Sequence, residues 1–178
     1  MDQPLPKVQA PANMGSAILT PIKESLPFMM FHHFGLLSTD AAASGRMLTG
    51  LGYDVSGPIE DTLQNVRAYF ATHATLPSIE IISPTETPGP LTGLALRLKH
   101  GIYHLCFEVG NLPECIARLN SLGHVVQVSE AKPAVLFQNR LVAFYHVENL
   151  GLIEILETKS PLPSSVDPDV LLRSHKHE

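Results

Sequence analysis

Displaced by 71 residues against itself, the chain lays His33 on His104 and Leu48 on Leu119, and carries Leu51-Gly52 onto Leu122-Gly123 without a gap. Further along, Ser78-Ile79-Glu80-Ile81-Ile82 meets Leu152-Ile153-Glu154-Ile155-Leu156 at a displacement of 74, so the second copy has gained three residues in its middle. A repeat of this kind constrains the architecture more than any single motif does. Each copy must be one supersecondary unit, and the two must cover one another's apolar surface. A length of 178 residues suits a single domain built of two such halves.

The local patterns agree with the repeat. In the second copy Leu112, Cys115, Ile116, Leu119 and Leu122 recur at three-and-four spacing, an apolar helical stripe that ends at Gly123, placed as a C′ glycine. In the first copy Asp40 can cap a matching helix in which Ala41, Ser44, Gly45, Leu48 and Leu51 hold the same phase, closed by Gly52. Before each helix lies a β-type run, 29–37 and 101–109. After each come further extended runs, 66–71 with 79–83 and 141–147 with 152–156, together with weaker candidates at 53–56 and 125–128. Each copy therefore reads as strand, helix and three strands. The expected fold is α+β, with module one over 28–84, a link over 85–100 that holds a short helix near 91–98, and module two over 101–158.

Residues 1–27 contain five prolines and no continuous apolar run, so they match neither a signal peptide nor a membrane span. They read as a flexible arm. Residues 159–178 read as a surface tail whose His175 and His177 are solvated. A net charge of −5 without a basic, aromatic-laced stripe argues against a nucleic-acid partner. Cys106 and Cys115 are the only cysteines, which does not suggest a secreted disulfide framework, and a reducing cytoplasmic setting is expected.

Strand parity then sorts the polar residues. Ile102, His104, Cys106 and Glu108 share one face of their strand, while Tyr103, Leu105, Phe107 and Val109 share the other, which suits the helix. Glu80 and Glu154 likewise face away from their isoleucine neighbours. A carboxylate set among aliphatic residues is costly to bury unless it is paired or bound to a metal. A pseudo-twofold relation between the copies would bring first and last strands together and converge His33, Glu80, His104 and Glu154 on one point. Two imidazoles and two carboxylates suit one divalent ion of zinc, nickel, cobalt, manganese or iron.

Taken singly, a strand histidine is ordinarily a core or surface residue and a glutamate an exposed edge residue. Four such residues at matching places of a repeat outweigh that reading. His32 rivals His33, but it breaks the correspondence with His104 and is expected to face the helix. Cys106 reads as a buried core thiol rather than a ligand. His73, His100, His124 and His146 read as surface or rim positions, with His146 the first choice among them to line the pocket.

On these residues the chain from 31 to 157 resembles the vicinal oxygen chelate (glyoxalase/bleomycin resistance/dioxygenase) superfamily, and within it the methylmalonyl-CoA epimerases. The cues are His32-His33-Phe34-Gly35-Leu36, Ile79-Glu80-Ile81-Ile82-Ser83-Pro84, Gly101-Ile102-Tyr103-His104-Leu105-Cys106-Phe107-Glu108-Val109, and Ala143-Phe144-Tyr145-His146 leading to Gly151-Leu152-Ile153-Glu154. Epimerases carry a closely similar Gly-Ile-His-His-Ile-Cys-Phe-Glu-Val run. The resemblance implies two βαβββ modules in pseudo-twofold arrangement forming an open cup around a metal, a homodimer, and a small-molecule substrate such as an acyl thioester. Two departures stand out: Val147-Glu148 follows His146 where epimerases usually have Pro-Lys, and Ala68 stands where some of them carry a catalytic Glu.

The reading is a metal-dependent isomerase that moves a proton next to a carbonyl or thioester, with Glu154 as first and Glu80 as second choice of base. Among the rim cations Arg97, Lys99, Lys132 and Arg140, Arg140 is singled out, with His146, to bind substrate. A glyoxalase I-type lyase is the alternative enzyme, and a small-molecule-binding, resistance-type protein the non-catalytic one. Dioxygenase and fosfomycin-type sites use two histidines and one carboxylate, so Glu80 counts against both.

Overall fold

The computed structural model describes residues 29–158; the arm expected over 1–27 and the tail over 159–178, with His175 and His177, lie outside the described residues. The elements run β1 (Met29–Ser38), α1 (Ala41–Gly50), β2 (Asp54–Asp61), β3 (Val66–Thr72), β4 (Ser78–Pro84), α2 (Thr92–Leu98), β5 (His100–Val109), α3 (Leu112–Leu122), β6 (Val125–Gln127), β7 (Lys132–Ala134), a 3₁₀ turn (Val135–Phe137), β8 (Arg140–Val147) and β9 (Gly151–Glu157). This is a mixed α+β fold with nine strands in one open sheet and three helices among the described residues.

Both main helices start on a side-chain cap. Asp40 accepts a hydrogen bond from Ala43 N at 2.9 Å, and Asn111 accepts one from Glu114 N at 3.1 Å, each satisfying an amide that the first turn leaves unpaired. Gly52, at φ +93°, takes the chain out of α1 in a conformation that suits glycine. Gly123 differs from expectation. Its φ of 177° is extended backbone, so α3 ends without the left-handed glycine turn.

The sheet order is β2-β3-β4-β1-β5-β9-β8-β6, with β7 also on β8. β1 and β5 pair antiparallel at the centre, β4 lies parallel to β1, and β9 lies parallel to β5. First and last strands of each module are thus neighbours, and the two modules meet along one seam. Its register shows the pseudo-twofold directly: His33 faces Cys106, and Gly35 faces His104. Each strand has one extra residue in the seam, His32 on β1 and Tyr103 on β5, where the register shifts. Two residues opposing one is the signature of a β-bulge.

The second module matches the first except in one place. The continuous β2 corresponds to the shorter β6 and β7, separated by residues 128–131, and the three added residues fall between α3 and β8. β2 itself runs past the expected 53–56, because Gly57 and Pro58 form an irregularity between Ser56 and Ile59 and pairing resumes beyond it.

Each helix covers one half of the sheet. Ala41 and Leu48 of α1 pack with Ile81 and Ala71, while Cys115 and Leu119 of α3 pack with Val109, Ile153 and Ile155. The opposite face curls until the 3₁₀ turn of module two meets β2 of module one. There the buried Asp61 accepts a hydrogen bond from Val135 N at 3.1 Å. Cys106 and Cys115 are both free and buried, and no described helix is long and apolar enough to cross a membrane.

Ile81 and Ile155, at 0% and 1% exposure, occupy corresponding places under the two helices. Truncating either to alanine should cost about 2–5 kcal/mol. Because one sheet joins the modules, urea denaturation of both variants should show a single shifted transition, and separate transitions for the two halves would count against the shared seam.

Candidate metal centre

The central strands deliver four polar side chains to one buried point. His33 comes from β1 and His104 from β5, the two inner strands; Glu80 comes from β4 and Glu154 from β9, the strands flanking them. All four are at most 5% exposed. His33 Nε2 lies 3.2 Å from Glu80 Oε2 and 3.3 Å from Glu154 Oε2. His104 Nε2 lies 3.7 and 3.5 Å from the same two oxygens, and 3.4 Å from His33 Nε2. The four donor atoms fall within 4.8 Å of one another.

These spacings suit a shared cation. Donors held at about 2.0–2.2 Å from a divalent ion sit roughly 3.0–3.5 Å apart. Glu154 Oε2 is buried without a hydrogen-bond partner despite its contact with His33, which otherwise carries a cost of a few kcal/mol. Without a metal, protons have to balance the two carboxylates. Burial opposes charge on His33, but the carboxylates of Glu154 and Glu80 at its ring raise it from 6.5 to about 9. Burial, reinforced by Glu154, pushes Glu80 up to about 7. Burial also opposes charge on Glu154, yet its contacts with His33 and His104 hold it below the usual carboxylate range. His104 is pushed down to about 4 by burial.

The surroundings repeat the twofold. Phe70 packs on His33 with ring centroids 5.7 Å apart, and Phe144 on His104 at 5.4 Å. Phe137 stacks on His33 at 5.3 Å. The seam fixes His104 by steric means as well: a Cβ on Gly35 would fall 2.0 Å from the His104 ring, so only glycine leaves room for it. Cys106 holds the equivalent place opposite His33, its thiol kept neutral by burial.

Two parity expectations fail at the bulges. His32 does not face the helix: it lies on the same side as His33, against Phe70 and Phe137, with its Nδ1 2.8 Å from His33 Nδ1. Burial and the adjacent His33 push it down to about 4, so it stays neutral and its Nδ1 can accept a hydrogen bond from an N–H at Nδ1 of His33. Tyr103 also leaves the helix side. It lines the cavity with Glu80 and Glu154, and burial next to those carboxylates raises its phenol well above the ordinary range.

Above the cluster opens a cavity of about 500 Å³. Glu80 and Glu154 line it, whereas His33 and His104 lie behind them, so the carboxylates are the groups a bound molecule would meet. Arg140 and His146 are outside the lining. Arg140 is ion-paired with Glu108 and lies over the Phe137 ring at 5.8 Å, and His146 is exposed on β8. Lys132 does line the cavity, while Arg97 in the last turn of α2 and Lys99 just after it are exposed. Ala68 lines it too, and no acid stands on β3.

The family model for the Glyoxalase/Bleomycin resistance protein/Dioxygenase superfamily matches residues 32–144, which takes in the seam and both histidines. The chain belongs to this superfamily. Solved structures with the same fold include a hypothetical protein of Bacillus halodurans (TM-score 0.64, 22% identity, covering 76% of this chain and 98% of that one). The methylmalonyl-CoA epimerase of Mycobacterium tuberculosis has a TM-score of 0.61 at 20% identity, covering 75% of this chain and 89% of that one. A variant of the Streptomyces coelicolor epimerase in complex with 2-nitronate-propionyl-CoA has a TM-score of 0.61 at 16% identity, covering 76% and 99%. No curated protein matches the sequence. At these identities the superfamily fold is shared, and the reaction has to be argued from the site.

Gly35→Ala should displace the His104 ring and destabilise the protein by about 1–3 kcal/mol, the range for overpacking a filled site. Thermal unfolding together with the His104 imidazole NMR signals checks this. An unmoved ring at undiminished stability would show that the close approach is not a constraint.

Proposed function

We propose that the chain is a metal-dependent isomerase that moves a proton on the carbon next to a carbonyl or thioester, in the manner of an epimerase. One observation carries the reading: four buried donor atoms meet at the floor of a cavity, and the two carboxylates among them face into it.

His33, His104, Glu80 and Glu154 would hold one divalent ion. When bound, such an ion supplies Lewis acidity toward a carbonyl oxygen and makes the adjacent C–H more acidic. The chain's own groups do the rest. Glu154, whose Oε2 has no hydrogen-bond partner, is the first candidate to take the proton, and Glu80 the second. They reach the floor from β9 and β4, on opposite sides of the β1–β5 pair, and can therefore address the two faces of a planar carbon. That arrangement supplies the second acid–base group that Ala68 does not. Phe144, Ala68 and Val142 line the cavity and would set hydrocarbon beside the reacting carbon. A neutral His32 accepting from an N–H at Nδ1 of His33 would leave Nε2 free to face the other donors.

Elemental analysis of protein prepared without chelator should show near-stoichiometric divalent metal. His104→Ala and Glu154→Ala should lose it, and His32→Ala should weaken binding by about 10- to 100-fold. Metal must displace the protons on His33 and Glu80, so apparent affinity should fall about tenfold per pH unit between 9 and 7, and more steeply below 7. Calorimetry in buffers of different ionisation enthalpy reads the released protons. An affinity that does not change with pH would mean that these groups are not ligands.

Metal-loaded protein should exchange the acidic proton of a 2-substituted acyl thioester with heavy water and scramble its stereocentre. A glyoxalase-type reaction would instead return the proton to the neighbouring carbon and give an isomerised product. Metal-loaded protein that exchanges nothing across branched acyl thioesters and α-hydroxy carbonyl compounds would leave a binding protein as the better reading.

A further inference from the structure

The walls of the cavity differ in chemistry from its floor. Val66 of β3, Leu94 of α2, Leu136 of the 3₁₀ turn, and Val142 and Phe144 of β8 present hydrocarbon from both modules. Among the described residues Lys132 is the only Lys or Arg of the lining, and it is exposed. Glu130, exposed like it, lines the cavity two residues away, and the buried Asp61 adds a second negative charge beyond the cluster. Asp61 is already engaged: its carboxylate accepts from Leu63 N, Gln64 N, Gln64 Nε2 and Val135 N. Arg140 offers no alternative cation, being paired with Glu108 outside the lining. Even with Glu80 and Glu154 neutralised by a divalent ion, Asp61 and Glu130 outweigh Lys132.

Resting on the metal-site reading above, we propose that the cavity selects an uncharged aliphatic or aromatic body attached to the oxygen-chelating group, and rejects substrates that carry a carboxylate away from the metal end. A volume of about 500 Å³ is that of a pocket for a small organic molecule. Each methylene placed against such walls gains about three- to fourfold in affinity, whereas an ionised group there loses its hydration and meets acidic neighbours. The substrate body is therefore a fatty or aryl acyl group rather than a dicarboxylic one. The reaction supplying it would be one that makes or transfers such acyl groups.

Hydroxamates separate this proposal from the reading it rests on, because their head chelates the metal while the tail samples the walls. Calorimetry on the zinc-loaded protein would compare acetohydroxamate, hexanohydroxamate and adipic monohydroxamate, the last matching the second in length but ending in a carboxylate. Hexanohydroxamate should bind about 100-fold tighter than acetohydroxamate, at three- to fourfold for each of its four extra methylenes, and adipic monohydroxamate should lose that gain. In Leu94→Lys the two longer probes should converge, with acetohydroxamate binding as before. Equal binding of all three probes, or tighter binding of the carboxylate-ended one, overturns the cavity proposal and leaves the metal site standing. No binding by any probe, acetohydroxamate included, on protein shown to hold zinc overturns the open metal site and the proposal with it.

Discussion

The antiparallel pairing of β1 with β5 is the contact on which the rest of the molecule depends. It joins two modules that could not bury their sheets separately, and its register decides which side chains meet at the centre. With His33 opposite Cys106 and Gly35 opposite His104, each imidazole lies over a small partner across the seam. The flanking strands β4 and β9, each parallel to its central neighbour, then bring Glu80 and Glu154 to the same depth. A slip of one residue in this pairing would turn every side chain of one strand to the other face and separate the histidines. The two symmetric bulges at His32 and Tyr103 mark where the register is fixed, and both extra residues are placed beside the cluster.

The fold holds two buried carboxylates whose charge is only partly compensated within the chain. Burial and the neighbouring Glu154 push Glu80 toward its protonated form, the two carboxylates draw a proton onto His33 against its burial, and Glu154, in contact with His33 and His104, stays below the usual carboxylate range. Replacing such a cluster with apolar residues would often be neutral or stabilising, so it does not exist for stability. It is expensive as a proton-balanced cluster and well suited to a divalent cation. The aromatic shell of Phe70, Phe137 and Phe144 packs against the two histidine rings.

The repeat made the four donors legible because their residue types recur at displacements of 71 and 74. Parity then sorted Glu80 from Ile79 and Ile81, and Glu154 from Ile153 and Ile155, and the structure has the same division. It failed for His32 and Tyr103, since alternation assumes an unbroken ladder and a bulge depends on a partner strand that sequence does not show. β2 was cut short at Gly57-Pro58 for a similar reason, the pairing beyond it being set by β3. Gly35 carried no signal of its own, because its role exists only once His104 lies across from it. Phe70 and Phe144 could have been found: the displacement of 74 that relates the glutamates also lays one on the other.

The site of this chain has Ala68 on β3 with no acid on that strand, a cavity whose lining includes one cation, Lys132, among the described residues, and His32 beside His33. One divalent ion between two imidazoles and two carboxylates, with room for an exogenous ligand, would complete this site. Cobalt substitution with paramagnetic proton NMR addresses it most directly. The expected spectrum has two exchangeable, strongly shifted N–H signals, from Nδ1 of His33 and Nδ1 of His104, each removed by alanine at its own position, and a cobalt absorption band that responds to an added chelating ligand. A cobalt-loaded protein with no shifted imidazole N–H signals, or with the same signals after both histidines are replaced, would contradict it.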